Sequence, residues 1–117
     1  MPHPVVHWEI GAKDAMKIRE FYAALFDWTY DTDMPTDYAL VAAQGTGIGG
    51  GIMQTPAEAP PYVTFYVSVE DLAATLAKAT SMGANTIVPP TPIPNVGSFA
   101  MFADPEGHVI GILQPAM

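Results

Sequence analysis

The chain contains an internal repeat that strongly constrains how it can fold. Residues 47–54 (GIGGGIMQ) return as residues 107–114 (GHVIGILQ), at a spacing of 60. Upstream, residues 4–10 (PVVHWEI) align with residues 61–67 (PYVTFYV), at a spacing of 57. Two copies of one unit make a pseudo-symmetric pair, and such a pair can build a site from equivalent positions.

Each copy predicts a strand, a helix and three further strands. In the first copy, alternating apolar residues indicate a strand over residues 5–12. Asp14 then has the position of a helix N-cap, and the helix should run to about Phe26. The three strands that follow are predicted at residues 28–33, 38–44 and 48–54.

The second copy has the same order of elements. A strand is predicted over residues 62–69, and a helix should begin at Asp71 and end at Gly83. The remaining strands are predicted at residues 84–88, 97–103 and 108–114, with a stiff proline-rich loop at 89–94.

The last two strands should form a tight hairpin. Residues 104–107 read Asp-Pro-Glu-Gly, which is typical of a type I turn. Across this turn Val109 should pair with Phe102.

The predicted fold class is therefore α+β, with two tandem βαβββ modules that form a curved mixed-sheet cup and carry their helices on the outside. A length of 117 residues fits one domain. Within it, module 1 covers about residues 3–54 and module 2 about 62–115. Residues 55–61 read as a proline-rich linker.

Charge and composition exclude several partners. Twelve acidic residues face four basic ones, for a net charge of −8, so nucleic acid and anionic membranes are not expected to bind. There are no cysteines, which excludes disulfides and thiolate metal sites. No secretory signal is visible at the N-terminus, and a cytoplasmic location is expected.

Several short motifs, taken in order, resemble one superfamily over essentially the whole chain. They are Val6-His7-Trp8-Glu9-Ile10, Phe21-Tyr22, Phe26-Asp27-Trp28 and Asp104-Pro105-Glu106-Gly107-His108-Val109-Ile110. In this order they resemble the vicinal oxygen chelate superfamily, which holds glyoxalase I, bleomycin-resistance proteins and extradiol dioxygenases. The stretch Val88-Pro89-Pro90-Thr91-Pro92, with Val96-Gly97 following, looks like the branch described as predicted enzymes related to lactoylglutathione lyase.

The resemblance implies where a metal would bind. In metal-using members, four strand positions supply His, Gln or Glu ligands, and these positions fall here on His7, Thr64, Gly51 and Gly111. Of the four, only His7 has a good ligating side chain, and a catalytic metal needs about three protein ligands. Glu9 could join His7 on the same strand face, but a third ligand is missing. We therefore expect no metal and no other cofactor.

The candidate site follows from strand alternation. If Val6, Trp8 and Ile10 pack on the helix, His7 and Glu9 face the cup as the candidate acid–base pair. The candidate ligand-binding positions are Tyr62, Thr64, Tyr66, Phe102, Gly51 and Gly111. The alternative is a purely structural role, in which His7 makes a hydrogen bond in a filled core and Glu9 pairs with a basic residue or with solvent.

Three functions stay open at this point. The chain could be a metal-free enzyme that uses His7 and Glu9 for acid–base chemistry on a small organic molecule. It could instead be a binding protein that sequesters a drug or metabolite, or a metal-dependent lyase or dioxygenase. The resemblance also implies a homodimer.

Overall fold

The computed structural model describes residues 2–33 and 38–116. Along the chain its elements are β1 (Val5–Ala12), α1 (Ala15–Phe26), β2 (Tyr38–Val41), β3 (Gly50–Gln54), β4 (Tyr62–Ser68), α2 (Leu72–Ser81), β5 (Asn85–Ile93), β6 (Gly97–Ala103) and β7 (Val109–Pro115). The chain divides into two compact units. The first unit is residues 7–63, and the second unit is residues 64–117 together with residues 1–6.

In the first unit, β3 is the central strand. It runs parallel to β1, with Glu9 opposite Gly51, and antiparallel to β2, with Leu40 opposite Gly51. Helix α1 covers one face of these strands, where Trp8 and Ile10 pack with Ile52. The predicted packing of Trp8 and Ile10 on the helix is therefore confirmed, whereas Val6 is exposed.

The second unit contains the complete βαβββ pattern. β4 pairs in parallel with β7, and β6 lies antiparallel to both β7 and β5. The buried residues Leu72 and Leu76 of α2 pack with Ala100 and Ile112 on one face of these strands. The α+β class, with a helix packed on one sheet face in each unit, is confirmed.

Both helices begin as predicted. The side chain of Asp14 accepts a hydrogen bond from the Lys17 amide at 3.2 Å, and that of Asp71 accepts one from the Ala74 amide at 3.0 Å. Beyond α2, Gly83 has a φ of 104°, the left-handed conformation expected of a glycine that ends a helix. No helix among residues 2–33 and 38–116 is long and apolar enough to cross a membrane.

The strand predicted at residues 28–33 is wrong, and within residues 7–33 and 38–63 two strands follow the helix of the first unit instead of three. The segment makes only an isolated bridge, in which Asp31 and Leu40 exchange two backbone hydrogen bonds of 2.9 Å. The Asp31 side chain then accepts from the Asp33 amide at 2.9 Å. A local hydrogen bond from a side chain to the backbone competes with the hydrogen bonds between strands and favours a turn.

In the second unit, the proline-rich segment belongs to a strand rather than to a loop. β5 continues to Ile93, with irregular pairing to β6 between Val88 and Thr91. Pro89 and Pro90 lie within this irregular stretch. Since proline lacks an amide donor, a break in the ladder is where a strand tolerates it.

The hairpin register is shifted by one residue from the prediction. Val109 pairs with Ala103, and Phe102 pairs with Ile110. The predicted turn is present, since the Gly107 amide donates to the Asp104 carbonyl at 2.8 Å. However, Gly107 has a φ of 96°, which is typical of a glycine bulge after a type I turn, and the extra residue displaces the pairing.

Candidate functional site

The candidate site is built around Glu9, which is only 5% exposed. Glu9 lies on the face of β1 opposite the Trp8 and Ile10 cluster, because side chains alternate along a strand. Its Oε1 accepts a hydrogen bond of 2.9 Å from the Tyr38 hydroxyl. Its Oε2 accepts one of 2.6 Å from the Tyr62 hydroxyl. Two neutral phenols therefore satisfy a carboxylate that burial would otherwise penalise.

His7 joins this network through Tyr38. The His7 Nε2 atom lies 2.7 Å from the Tyr38 hydroxyl oxygen. Since the Tyr38 proton is directed at Glu9, the phenol oxygen is left to accept, and His7 must carry its proton on Nε2. His7, Tyr38, Glu9 and Tyr62 form one hydrogen-bonded chain, which we call the Glu9 network.

Two glycines make room for the two phenol rings. The Tyr38 ring covers the α-carbon of Gly51, so a side chain there would collide with it. The Tyr62 ring covers Gly11 in the same way. An aromatic ring lying over a neighbouring glycine is a favourable contact between strands.

The second unit repeats this packing of a tyrosine ring on a glycine. The Tyr66 ring covers the α-carbon of Gly111, and its edge meets Phe99 at a centroid distance of 6.3 Å. The hydroxyl of Thr64 donates to the Val109 carbonyl at 2.7 Å. Both repeat-related glycines thus lie beneath a tyrosine ring.

Burial and charge set the protonation behaviour of the network. Burial lowers the pKa of His7, and the nearby Glu9 charge offsets part of this effect. Burial also raises the pKa of Tyr62, and its hydrogen bond to Glu9 raises it further. Around neutral pH the network therefore combines a neutral imidazole with protonated Tyr62.

The structure brings together some of the predicted site residues. His7, Glu9, Tyr62 and Gly51 belong to the Glu9 network or border it, and all four lie in the first unit. Thr64, Tyr66 and Gly111 occur in the equivalent positions of the second unit. The expected position of Phe102 on the ligand-binding face is wrong, because Phe102 packs against the helix-side cluster of α2.

Sequence reasoning missed Tyr38, which connects His7 to Glu9. Its strand was predicted, but strand alternation gives no information about a neighbour that is not adjacent in sequence. One signal could have found it: a lone tyrosine on a short strand, with a glycine on the strand beside it.

An open cleft of about 440 Å³ in the first unit adjoins the network. His7 lines it together with Tyr30, Asp31, Leu40 and Gly50, among others. Glu9, Tyr38 and Tyr62 do not line this cleft. A small molecule seated there would therefore meet the network at His7.

The residues of this chain do not fit a metal of the kind used by some superfamily members. At position 51 the space of a ligating side chain is filled by the Tyr38 ring, and at position 111 by the Tyr66 ring. The Thr64 hydroxyl donates a hydrogen bond to a backbone carbonyl, and the Glu9 carboxylate accepts hydrogen bonds from two phenols. Within residues 2–33 and 38–116, no three His, Asp or Glu side chains cluster as a metal site.

The fold and these motifs define a superfamily. The model of the Glyoxalase/Bleomycin resistance protein/Dioxygenase superfamily matches residues 4–112, so the chain belongs to this superfamily. The chain is 32% identical over 99 residues to "Putative glyoxylase CFP32" of Mycobacterium bovis and of Mycobacterium tuberculosis. That match covers 82% of this chain but only 38% of those proteins.

Solved structures share the fold at low sequence identity. Methylmalonyl-CoA epimerase from Mycobacterium tuberculosis has a TM-score of 0.70 and 18% identity, over 97% of this chain and 88% of that one. A hypothetical protein, BH1468 from Bacillus halodurans, has a TM-score of 0.73 and 10% identity, over 100% of this chain and 97% of that one. A variant of homoprotocatechuate 2,3-dioxygenase from B. fuscum has a TM-score of 0.69 and 13% identity, over 99% of this chain and 34% of that one.

Proposed function

We propose that the protein binds a small organic molecule beside the Glu9 network and exchanges a proton with it, without a metal. The observation that carries this proposal is the nearly buried Glu9 carboxylate, which two phenols hold and Tyr38 connects to His7. Buried titratable groups that are linked to a cleft are common at functional sites.

The network suits proton exchange at His7. Because the pKa of His7 is lowered, the imidazole is unprotonated near neutral pH and can accept a proton from a bound ligand. The resulting positive charge would be stabilised by Glu9 through Tyr38, which lies between them. On return of the proton, His7 acts as the acid. Tyr62 holds the second carboxylate oxygen and keeps Glu9 in position.

A ligand screen tests this proposal. Small aromatic metabolites and drugs are added to the purified protein, and the melting temperature is measured, because a ligand that binds the folded state raises it. Hits are then tested for turnover and against the Glu9→Gln and His7→Gln variants. We expect weaker binding with both variants. Absence of any hit would contradict the proposed binding site.

A second candidate is a protein that sequesters its ligand without changing it. The likeness to a superfamily that includes bleomycin-resistance proteins favours this alternative. If a ligand is bound but the wild-type protein turns none of it over, sequestration replaces catalysis. A metal-dependent lyase or dioxygenase is tested by metal analysis of protein purified without a histidine tag. One divalent ion per chain would support that alternative.

We also propose that the chain forms a homodimer. Four apolar side chains on or at the end of α1 are more than half exposed: Met16, Phe21, Leu25 and Phe26. Exposed apolar patches of this kind often mark protein interfaces. Sedimentation equilibrium tests the proposal, and a monomer at high concentration would contradict it.

A further inference from the structure

We infer that a second cleft of the first unit binds an organic cation. This cleft has a volume of about 450 Å³ and lies beside the end of α1, where Phe26, Asp27 and Trp28 line it. His7 is not among the described residues that line this second cleft. The cation site and the Glu9 network can therefore be tested separately.

Two aromatic residues contribute to the second cleft. The rings of Phe26 and Trp28 contact each other, with centroids 5.4 Å apart. Trp28 also stacks on Trp8 at a centroid distance of 4.9 Å, and Tyr22 lies 5.4 Å from it. The core cluster of the first unit thus holds Trp28 in place at the cleft. Aromatic faces attract cations, and tryptophan does so most strongly.

Asp27 adds a carboxylate to the same cleft. It ends α1 in the left-handed conformation, with a φ of 61°, and its amide donates to the Ala23 carbonyl at 3.0 Å. Glycine is the usual residue in this conformation, and other residues held in it are found most often at functional sites. Among residues 2–33 and 38–116, no group forms a hydrogen bond or ion pair with the Asp27 carboxylate. This carboxylate is therefore available to a ligand.

The end of helix α1 adds to the negative potential at the cleft. The carbonyl groups at a helix C-terminus carry a partial negative charge, which a cation complements. The last turn of α2 contains Lys78, whereas the last turn of α1, residues 23–26, contains no basic residue. In the first unit, a bound cation would complement the helix end as Lys78 does in the second.

These features favour a cation that carries apolar groups around its charge, such as a quaternary ammonium. Aromatic rings and a carboxylate are the groups that bind such ions. Val41 and Ala42 also line the cleft and offer apolar contacts to the methyl groups. A divalent metal ion instead takes about six oxygen ligands, and Asp27 is the only carboxylate among the described residues that line the cleft.

Choline tests the inference together with its neutral analogue, in which a tert-butyl group replaces the trimethylammonium group. The two have nearly the same shape, and only choline is charged. Each is titrated into the wild-type protein, and the amide signals are followed by NMR. Because Phe26 also belongs to the patch that we propose for the dimer, the protein concentration is one at which sedimentation shows a single species.

We expect choline to shift the Asp27 and Trp28 amide signals saturably and to bind about tenfold more tightly than the neutral analogue. Equal binding of the two probes would overturn the inference. So would an absence of choline binding, or choline shifts confined to other parts of the chain.

Two matched variants separate the site from the net charge of −8. Asp27→Asn removes the carboxylate and keeps a residue type that tolerates the left-handed conformation. Glu20→Gln removes one exposed charge of α1. The preference for choline should fall in Asp27→Asn and stay unchanged in Glu20→Gln. An equal fall in both variants would overturn the inference, because net charge would then explain the preference. Choline binding should persist in His7→Gln, and its loss there would also contradict a separate site.

Discussion

The ring of Tyr38 lies over the α-carbon of Gly51, and this contact brings its hydroxyl to Glu9. The resemblance to the superfamily implies a ligating side chain at this position in its metal-using members. In the present chain the glycine admits a phenol instead, and the phenol donates to a carboxylate. Tyr66 over Gly111 is the same relationship in the second unit.

Gly51→Ala should therefore displace Tyr38. The added methyl group collides with the ring, and such overpacking typically costs about 1–3 kcal/mol of unfolding free energy. Urea denaturation measures the loss. In a Tyr38→Ala background the same substitution should cost clearly less, because the colliding ring is absent. An equal cost in both backgrounds would contradict the contact.

Gly111→Ala provides the matched control for this substitution. It overpacks Tyr66 in the second unit and should also reduce stability. It should leave the titration of His7 unchanged, whereas Gly51→Ala should shift it. The two variants separate a general packing defect from damage to the Glu9 network.

Tyr62→Phe should destabilise the protein by about 1–3 kcal/mol, because it removes one of two donors from a buried carboxylate. Tyr30→Phe is the control, since the Tyr30 hydroxyl donates to a neutral carbonyl, that of Arg19, at 2.8 Å. Its loss should cost about 0.5–1.5 kcal/mol. Denaturation curves of the two variants compare these costs, and a Tyr62→Phe cost no larger than that of Tyr30→Phe would argue against a charged acceptor.

The titration of His7 should respond to Glu9. Burial lowers the pKa of His7 below 6.5, and Glu9 raises it in part, so Glu9→Gln should lower it further. NMR titration of the imidazole measures both values, and the His7→Gln spectrum assigns the signal. A His7 pKa that rises in Glu9→Gln would contradict the described geometry.

The same shift predicts how stability depends on pH. Below pH 6.5 the unfolded chain takes up a proton at His7 more readily than the folded protein. The His7 contribution therefore lowers stability as pH falls from 6.5 toward the pKa of the folded state. Denaturation curves at several pH values should show a shallower decline for His7→Gln over this range.

The repeated glutamines should each stabilise a helix start. Gln54 Oε1 accepts from the Ala15 amide at 3.0 Å, and Gln114 Oε1 accepts from the Leu72 amide at 2.8 Å. Replacement by Ala leaves a helix amide without its partner, which costs about 1 kcal/mol in each case. Thermal denaturation of both variants measures the effect, and a cost at only one position would show that the repeat is not equivalent there.

Local sequence patterns predicted much of this structure. The capping aspartates Asp14 and Asp71, the turn at residues 104–107 and the alternation of β1 are short-range features, and all were found. The pairing between strands was harder to predict from the sequence. The bulge at Gly107 shifted the hairpin register, and that shift changes which residue Val109 meets.

The candidate site was predicted only in part for the same reason. Alternation predicted that His7 and Glu9 share a face. It could not predict Tyr38, because β2 reaches Glu9 only through its pairing with β3 and the pairing of β3 with β1. β2 and β3 follow each other in sequence, but α1 and β2 separate β1 from β3, so local sequence does not reveal the pairing of β1 with β3.

NMR shows most directly whether a ligand contacts the Glu9 network at His7. The strongest ligand from the screen is titrated into protein with labelled histidine and tyrosine rings. We expect saturable shifts of the His7 and Tyr38 signals, and in Glu9→Gln a higher ligand concentration should be needed to reach saturation. Shifts confined to Tyr66 and the second unit, with His7 unchanged, would contradict this contact.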